Sequence, residues 1–273
     1  MVKPVRLMGQ FPPLPPGRAV RQIIVDGLLG QWRLLLSAAT APFIIALVVD
    51  LVTTIALELR GQGSVLISAE AIGIAAANLV IMELLLGAFF TTSVARLLGI
   101  GWRRGRVRFN EEWREAFGAV VLRLTMFYLV GLVLVGGGFA AYLTFREDLP
   151  TPQLAPFIIA VPALIQLVLY TRFSFVIAGA AVGAPYTFGD SIRATGGITL
   201  LMLGLYLVFC LPLVVAQLAL QVSASTFPLF GLGYFGALIL TQVLFLLRVA
   251  MFTIINRVCF VNRTGWSPGA RRI

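Results

Sequence analysis

The chain has 273 residues, of which 59% are apolar and only 12% are charged, and its formal net charge is +10. A soluble domain of this length is usually nearer half apolar, with about twice the charge. The sequence contains no histidine, so the commonest general base and the commonest metal ligand of proteins are both absent. Two cysteines, Cys210 and Cys259, are too few for a disulfide framework.

The apolar residues cluster into six runs, each long enough to cross a hydrocarbon core about 30 Å thick. Helices are the default spanning structure, because lipid offers backbone groups no hydrogen-bond partner. The sequence predicts spanning helices over residues 34–57, 72–95, 119–145, 156–178, 198–220 and 229–254. The predicted fold class is an all-α polytopic membrane protein, with one six-helix membrane domain over residues 34–273.

Residues 1–33 predict a cytoplasmic leader that ends in a helix lying on the membrane surface. Residues 1–6 are basic, but the proline-rich stretch that follows lacks the apolar core of a signal peptide. Val20, Ile23 and Leu28 fall on one side at helical spacing, which makes residues 20–29 the first candidate surface helix.

Positive charge is distributed unevenly between the two sides of the predicted membrane domain. Five lysines and arginines precede the first span, five lie in the loop at residues 101–114, and four lie in the tail at residues 256–273. The opposite side has only Arg60 and Arg146. This bias predicts that both termini lie in the cytoplasm. It also accounts for the net charge, so we expect no nucleic-acid partner.

Two ten-residue segments before spans three and five share a pattern of Phe, an acid two positions later, Arg five later and Gly nine later. The matched residues are Phe109, Glu111, Arg114 and Gly118 in the first segment, and Phe188, Asp190, Arg193 and Gly197 in the second. Thr187 and Asp190 have the spacing of a capping box. We expect each segment to form a short interfacial helix along the inner membrane face.

Arg96, Arg172 and Arg248 are each 76 residues apart, near the predicted cytoplasmic ends of spans two, four and six. Together with the repeated segments, this spacing predicts an internal repeat of three helical hairpins, each preceded by an interfacial helix. The three arginines should then occupy matching places, with Glu111 and Asp190 as natural partners.

Those three arginines and Arg123 lie within a few helical turns of the predicted cytoplasmic boundary. One interpretation is structural, with long side chains that extend to the phosphates of membrane lipids. The other is a shared basic pocket for an anionic lipid headgroup or a phosphorylated ligand. Under either interpretation the expected partners are membrane lipids, anionic ones in particular.

Asp50 and Glu83 are carboxylic acids inside predicted spans, and the helical rise places both at a similar depth. A carboxyl group in hydrocarbon is costly unless it is neutral, paired or facing a wet cavity. The functional interpretation is a proton or cation site between adjacent helices. The structural interpretation is a protonated carboxyl group that forms a hydrogen bond with a neighbour such as Asn78, or a span whose boundary differs from the predicted one.

No catalytic constellation is evident, since serines such as Ser174 and Ser191 have no histidine partner. No cluster of cysteines or carboxylates has the spacing of a metal site. We therefore expect neither an enzyme nor a cofactor-binding protein.

The stretch around Arg172 resembles a loose group of uncharacterised bacterial six-span inner-membrane proteins. That group includes YciC-like proteins and the membrane domain fused to some glycerophosphodiester phosphodiesterases. The likeness rests on Arg172 ending a span, Pro185 after it, and then Asp190, Ser191, Arg193 and Gly196, and it covers about a third of the chain. It implies a fold and an inner-membrane location. It implies no reaction, because the phosphodiesterase domain has no counterpart here.

The hypothesis that follows is a non-enzymatic integral protein of the bacterial inner membrane, which acts through contacts with lipids or with another membrane protein. A preference for arginine over lysine, typical of GC-rich bacterial genomes, agrees with that source. The alternative is a small transporter or channel that uses Asp50 and Glu83.

Overall fold

A computed structural model of the chain describes residues 12–61, 74, 77–78, 80–100, 110–138, 155–184, 186–224, 227–228 and 230–266. Regular structure in these ranges is helical throughout. Within them, six helices are long and apolar enough to cross a membrane. The protein is an all-α polytopic membrane protein, as the sequence predicts.

The helices in the described ranges are labelled α1 to α8 in chain order. Helix α1 is Pro16–Arg21, continued by the π-helical turns of Gln22–Leu29, and α2 is Trp32–Gly61. Helix α3 starts as π-helical Val80–Leu86 and continues as Gly87–Ile100. Helix α4 is Glu111–Gly131 with π-helical Leu132–Gly136, α5 is Ala155–Ala181, and α6 is Phe188–Thr195. Helix α7 comprises Thr199–Phe209 and Leu211–Ala224, and α8 is Leu232–Thr264.

The spanning segments have bounds close to the predicted ones, with two clear differences. They are Trp32–Leu57, Val80–Leu98, Glu111–Leu134, Ala160–Ala181, Thr199–Ala224 and Leu232–Thr264. The third begins earlier than residue 119, and the sixth continues well beyond residue 254. Parts of the predicted spans 72–95 and 119–145 lie outside the described residues.

Helix α8 is the central helix of the bundle, in contact with α1, α2, α3, α5 and α7. Phe245, Ile254 and Phe260 are at most 1% exposed along its length. Apolar side chains of a spanning helix normally face lipid, so complete burial of these residues places the protein core around α8.

The predicted polar tail from residue 256 is wrong in its first part, because α8 continues to Thr264. Asn256 is 4% exposed, and it accepts a hydrogen bond from the Tyr206 hydroxyl and donates one to the Tyr170 hydroxyl. Farther along, Arg263 Nε donates to the carbonyl of Ala194 at 2.9 Å. Polar residues that end a span in sequence are therefore bonded within the bundle. Gly265, with φ of 66°, ends the helix.

Helix α6 is a separate short helix with the predicted capping box. The Thr187 hydroxyl accepts from the backbone N–H of Asp190, and the Asp190 carboxylate accepts from the backbone N–H of Thr187. The hydroxyls of Ser191 and Thr195 donate to the backbone carbonyl of Arg172 at 2.7 and 3.1 Å, which fixes the helix on α5. The apolar side chain of Ile192 on this helix is 38% exposed.

The first segment of the proposed repeat has a different structure, and the expectation of a separate surface helix is wrong there. Glu111, Arg114 and Gly118 belong to the first turns of α4, which continues without a break into the third span. Phe109 lies outside the described residues. The two segments differ in the glycines at their ends. Gly196 and Gly197 form a turn that ends α6, whereas a single glycine such as Gly118 is tolerated inside a helix.

Candidate functional site

Glu83 of α3 and Arg248 of α8 form an ion pair in which Arg248 Nη2 donates to Glu83 Oε1. Their side chains are only 19% and 16% exposed. The second oxygen, Glu83 Oε2, accepts a hydrogen bond from the Tyr128 hydroxyl at 3.0 Å. The guanidinium carbon of Arg248 also lies 5.4 Å from the centroid of the Phe245 ring. Both oxygens of the Glu83 carboxylate therefore have partners on neighbouring helices.

The local structure of α3 positions this carboxylate. Glu83 lies in the middle of the π-helical stretch Val80–Leu86, directly before the regular helix Gly87–Ile100. A π-helical turn carries one more residue than an α-helical turn, so it changes the face to which the following side chains project, and such turns are frequent at functional sites.

Arg248 stands at the midpoint of α8. The prediction that it lies near a helix end, in a place matching Arg96 and Arg172, is therefore wrong. Sixteen further residues of helix correspond to about 24 Å along the axis, which is too far for the side chain to reach that end. Its ion pair with Glu83 compensates its charge instead.

A cavity of about 290 Å³ lies beside the ion pair, among α3, α4, α5 and α8. Its polar lining consists of Glu83, Thr91, Tyr128, Gln166, Tyr170 and Arg248. One buried water needs roughly 10–15 Å³ and two to four polar partners. The cavity has both the space and the polar groups for a polar occupant.

Two polar atoms of the lining residues are buried without a hydrogen-bond partner among the described residues. They are Oε1 of Gln166 and Nε of Arg248. The amide nitrogen of Gln166 is used, since it donates to the carbonyl of Phe127 at 2.9 Å. A buried polar group without a partner costs about 1–3 kcal/mol. Both atoms have almost no accessible surface, so the packing of the helices leaves them unsatisfied and out of reach of a molecule in the cavity.

Polar side chains continue from the cavity along one side of α8. The hydroxyl of Thr253 donates to that of the cavity residue Thr91 at 3.3 Å. One turn farther, Asn256 joins Tyr170, also a cavity residue, to Tyr206. These contacts form a polar path towards the C-terminal end of α8.

Asp50 lies in a different environment from Glu83. Its Oδ1 accepts from Asn78 Nδ2 at 2.9 Å and its Oδ2 accepts from Gln242 Nε2, so two amides satisfy both oxygens. Gln242 and Arg248 are six residues apart on α8, which is about 9 Å along the helix axis. Asp50 is not among the residues that line the cavity. The two carboxylates therefore do not form one site, and the contacts of Asp50 match its structural interpretation.

The other three arginines each have their own partner. Arg96 bonds to Glu112 at 3.1 Å, not to Glu111. Arg123 donates to the carbonyl of Ala119 within α4 at 2.8 Å, and Arg172 donates to the Thr199 hydroxyl at 3.3 Å. The carboxylate of Asp190 accepts a hydrogen bond from the backbone N–H of Thr187 in the N-terminal cap of α6. The contacts predicted for Glu111 and Asp190 are therefore wrong, because neighbouring groups on packed helices are nearer.

Sequence reasoning missed Tyr128, Gln166 and Tyr170 as members of the site. A signal for two of them was present, since Gln166 and Tyr170 are polar residues one helical turn apart inside an apolar span. A spacing rule for one helix does not indicate which other helix such a face meets. The pairing of Glu83 with Arg248 joins residues 165 positions apart and needs the tertiary structure.

Comparison with known proteins finds no family model, no curated protein and no solved structure that matches the chain.

Proposed function

We propose that this protein binds a small polar solute inside the membrane and transports it, with Glu83 and Arg248 at the binding site. The observation that carries the proposal is the ion pair beside a cavity that is lined by both polar and apolar residues. An ion pair that only held helices together would be expected to lie in close-packed surroundings. Here the pair borders open space between four helices.

The chemistry of the lining favours an uncharged or zwitterionic solute over a simple ion. The charge of Arg248 is compensated by Glu83, and the remaining polar groups are hydroxyls and one amide. Hydroxyl and amide groups both donate and accept hydrogen bonds, which suits a molecule that carries both a donor and an acceptor. No covalent step is proposed, which agrees with the sequence-based expectation of a protein without enzymatic activity.

The proposed location is a bacterial inner membrane, with both termini in the cytoplasm. Its support is the excess of positive charge in the leader, the loop at residues 101–114 and the tail. In this orientation, the polar contacts that continue from the cavity to Asn256 lie towards the cytoplasmic end of α8.

The second candidate is the hypothesis of a non-enzymatic protein that acts through lipids or a membrane-protein partner. It is supported by the large apolar side chains on the outer faces of the spans, such as Leu132 and Val133, which are 68% and 72% exposed. Such side chains are also expected wherever a helix simply faces lipid. The cavity therefore gives transport the stronger support.

The test is uptake of an isotope-labelled mixture of small polar metabolites by proteoliposomes, read by mass spectrometry. We expect at least one neutral or zwitterionic solute to accumulate with the natural protein, and not with Gly87→Leu. Gly87 lines the cavity, and the nearest described atom to an added Cβ is the carbonyl oxygen of Met82 at 3.7 Å, so a side chain can start from this position without backbone strain. Gly118→Leu is the matched control, because no atom of the described residues lies within 4 Å of a Cβ added to Gly118. Equal uptake by both variants would refute the proposal.

A further inference from the structure

A groove of about 530 Å³ runs along the outside of the bundle between α2 and α8. Its lining is apolar and aromatic, apart from Thr40, whose hydroxyl donates to the carbonyl of Leu36 in its own helix at 3.0 Å. Leu36 and Val243 along its edges are 58% and 44% exposed, so the groove opens towards the surroundings of the bundle. It shares no lining residue with the polar cavity, since α8 presents a different face to each.

Contacts between helices bound the groove at both ends. At one end, α1 packs closely on α8, because a Cβ added to Gly27 would lie 2.6 Å from Cγ2 of Ile254. At the other end, Asp50 of α2 accepts a hydrogen bond from Gln242 of α8. Between these contacts, Phe90 of α3, which is 2% exposed, closes the inner side. The groove is therefore a bounded feature of the fold.

Its occupant follows from its chemistry and its position. Apolar walls offer no hydrogen bonds to water, and protein interiors leave few voids of this size. The spans on both sides cross the membrane, so the medium at the groove is the hydrocarbon of lipid chains. An acyl chain fits an elongated apolar groove of this kind.

Residues at the N-terminal end of α2 indicate which class of lipid occupies the groove. Trp32 lines the groove and is 51% exposed, and the guanidinium carbon of Arg33 lies 5.4 Å from the centroid of its ring. Tryptophan is enriched where spans meet the headgroup layer, and arginine binds phosphate through paired hydrogen bonds. We propose that the groove holds one acyl chain of an anionic phospholipid, whose headgroup is bound at Arg33.

Native mass spectrometry of the purified protein tests this site, by titration with phosphatidylglycerol and with phosphatidylcholine of the same acyl chains. We expect one phosphatidylglycerol to bind at least about tenfold more tightly than phosphatidylcholine, which is about 1.4 kcal/mol. Arg33→Gln should remove this preference. Ala39→Trp, which fills the groove, should weaken the binding of both lipids.

Leu132→Trp is the control, because Leu132 is 68% exposed on α4, a helix that contributes no described residue to the lining of this groove. It should leave the tight lipid in place. Should Ala39→Trp fail to fold, Leu36→Trp at the groove edge replaces it. Undiminished lipid binding by a folded groove-filling variant would overturn the site, and so would equal affinity for the two lipids. If the natural protein is a dimer and the groove-filling variant is a monomer that still binds the lipid, the groove is instead the contact site of a second copy of the chain.

Discussion

Glu83 accepts hydrogen bonds from two residues that lie far from it in sequence, Arg248 and Tyr128, and so joins three spans at one carboxylate. Arg248 comes from α8, the helix around which the core is built, and Tyr128 comes from α4. Taking the charges of such a pair out of water is expensive, and their attraction offsets this cost only while both partners are present.

Removal of one member of this pair should therefore destabilise the protein. Breaking a buried pair costs about 3–5 kcal/mol, and we expect Arg248→Gln to approach the lower end, because its side chain is still 16% exposed. Arg114→Gln, at an exposed position in α4, should cost at most about 0–1 kcal/mol. Thermal unfolding in one detergent gives both values. If the two variants unfold at the same temperature, the ion pair contributes nothing to stability.

A matched double substitution separates stability from transport. Glu83→Leu with Arg248→Leu removes both charges, and such replacement of a buried pair is often neutral or stabilising by about 1–4 kcal/mol. We expect the double variant to be more stable than either single variant and yet to lack solute uptake. A stable double variant with normal uptake would mean that the pair serves only the fold.

The cap of α6 gives a smaller and more local effect. Thr187→Ala removes the side-chain oxygen that accepts from the N–H of Asp190, and loss of such a cap costs about 0.5–2 kcal/mol. We expect faster hydrogen exchange at residues 188–195 with little change in the spans. Thr187→Ser keeps the hydroxyl and should exchange like the natural protein. Unchanged exchange in Thr187→Ala would show that Ser191 and Thr195 alone hold the helix.

The close contact of α1 with α8 predicts a strong effect at a glycine. Gly27→Ala would place a methyl group 2.6 Å from Ile254 Cγ2, so the chain must shift, and overpacking of this kind typically costs about 1–3 kcal/mol. Gly17→Ala, with nothing within 4 Å, is the control. Ile254→Ala should restore part of the loss in the double variant. If the losses of unfolding free energy in the two single variants simply add up in the double variant, Gly27 and Ile254 are not in contact.

The topology can be tested by labelling single cysteines from either side of the membrane. Five spans separate residues 17 and 223, so cysteines at these exposed positions should react with an impermeant reagent from opposite sides. The natural thiols of Cys210 and Cys259 are buried and should give a low background. Labelling of both positions from the same side would contradict the arrangement of spans.

Features set by local chemistry were predictable from the sequence. The spans follow from apolar runs, and the capping box of α6 follows from the spacing of Thr187 and Asp190. Close backbone contacts depend on the folded structure: at Gly179, in the last turn of α5, an added Cβ would lie 2.9 Å from the carbonyl oxygen of Ala184. Helices α4 and α5 approach closely at Gly131, where an added Cβ would lie 3.0 Å from Gln166 Nε2.

By itself the sequence determined the membrane class, the approximate spans and the presence of two carboxylic acids at membrane depth, because hydrophobicity and helical rise are properties of the local chain. Only the tertiary structure decided that Asp50 is satisfied by two amides while Glu83 meets Arg248 beside a cavity. That difference depends on which faces of distant helices pack together. The energy of a charge in a membrane is set by its partners in space, and a repeat spacing such as that of Arg96, Arg172 and Arg248 carries no information about them.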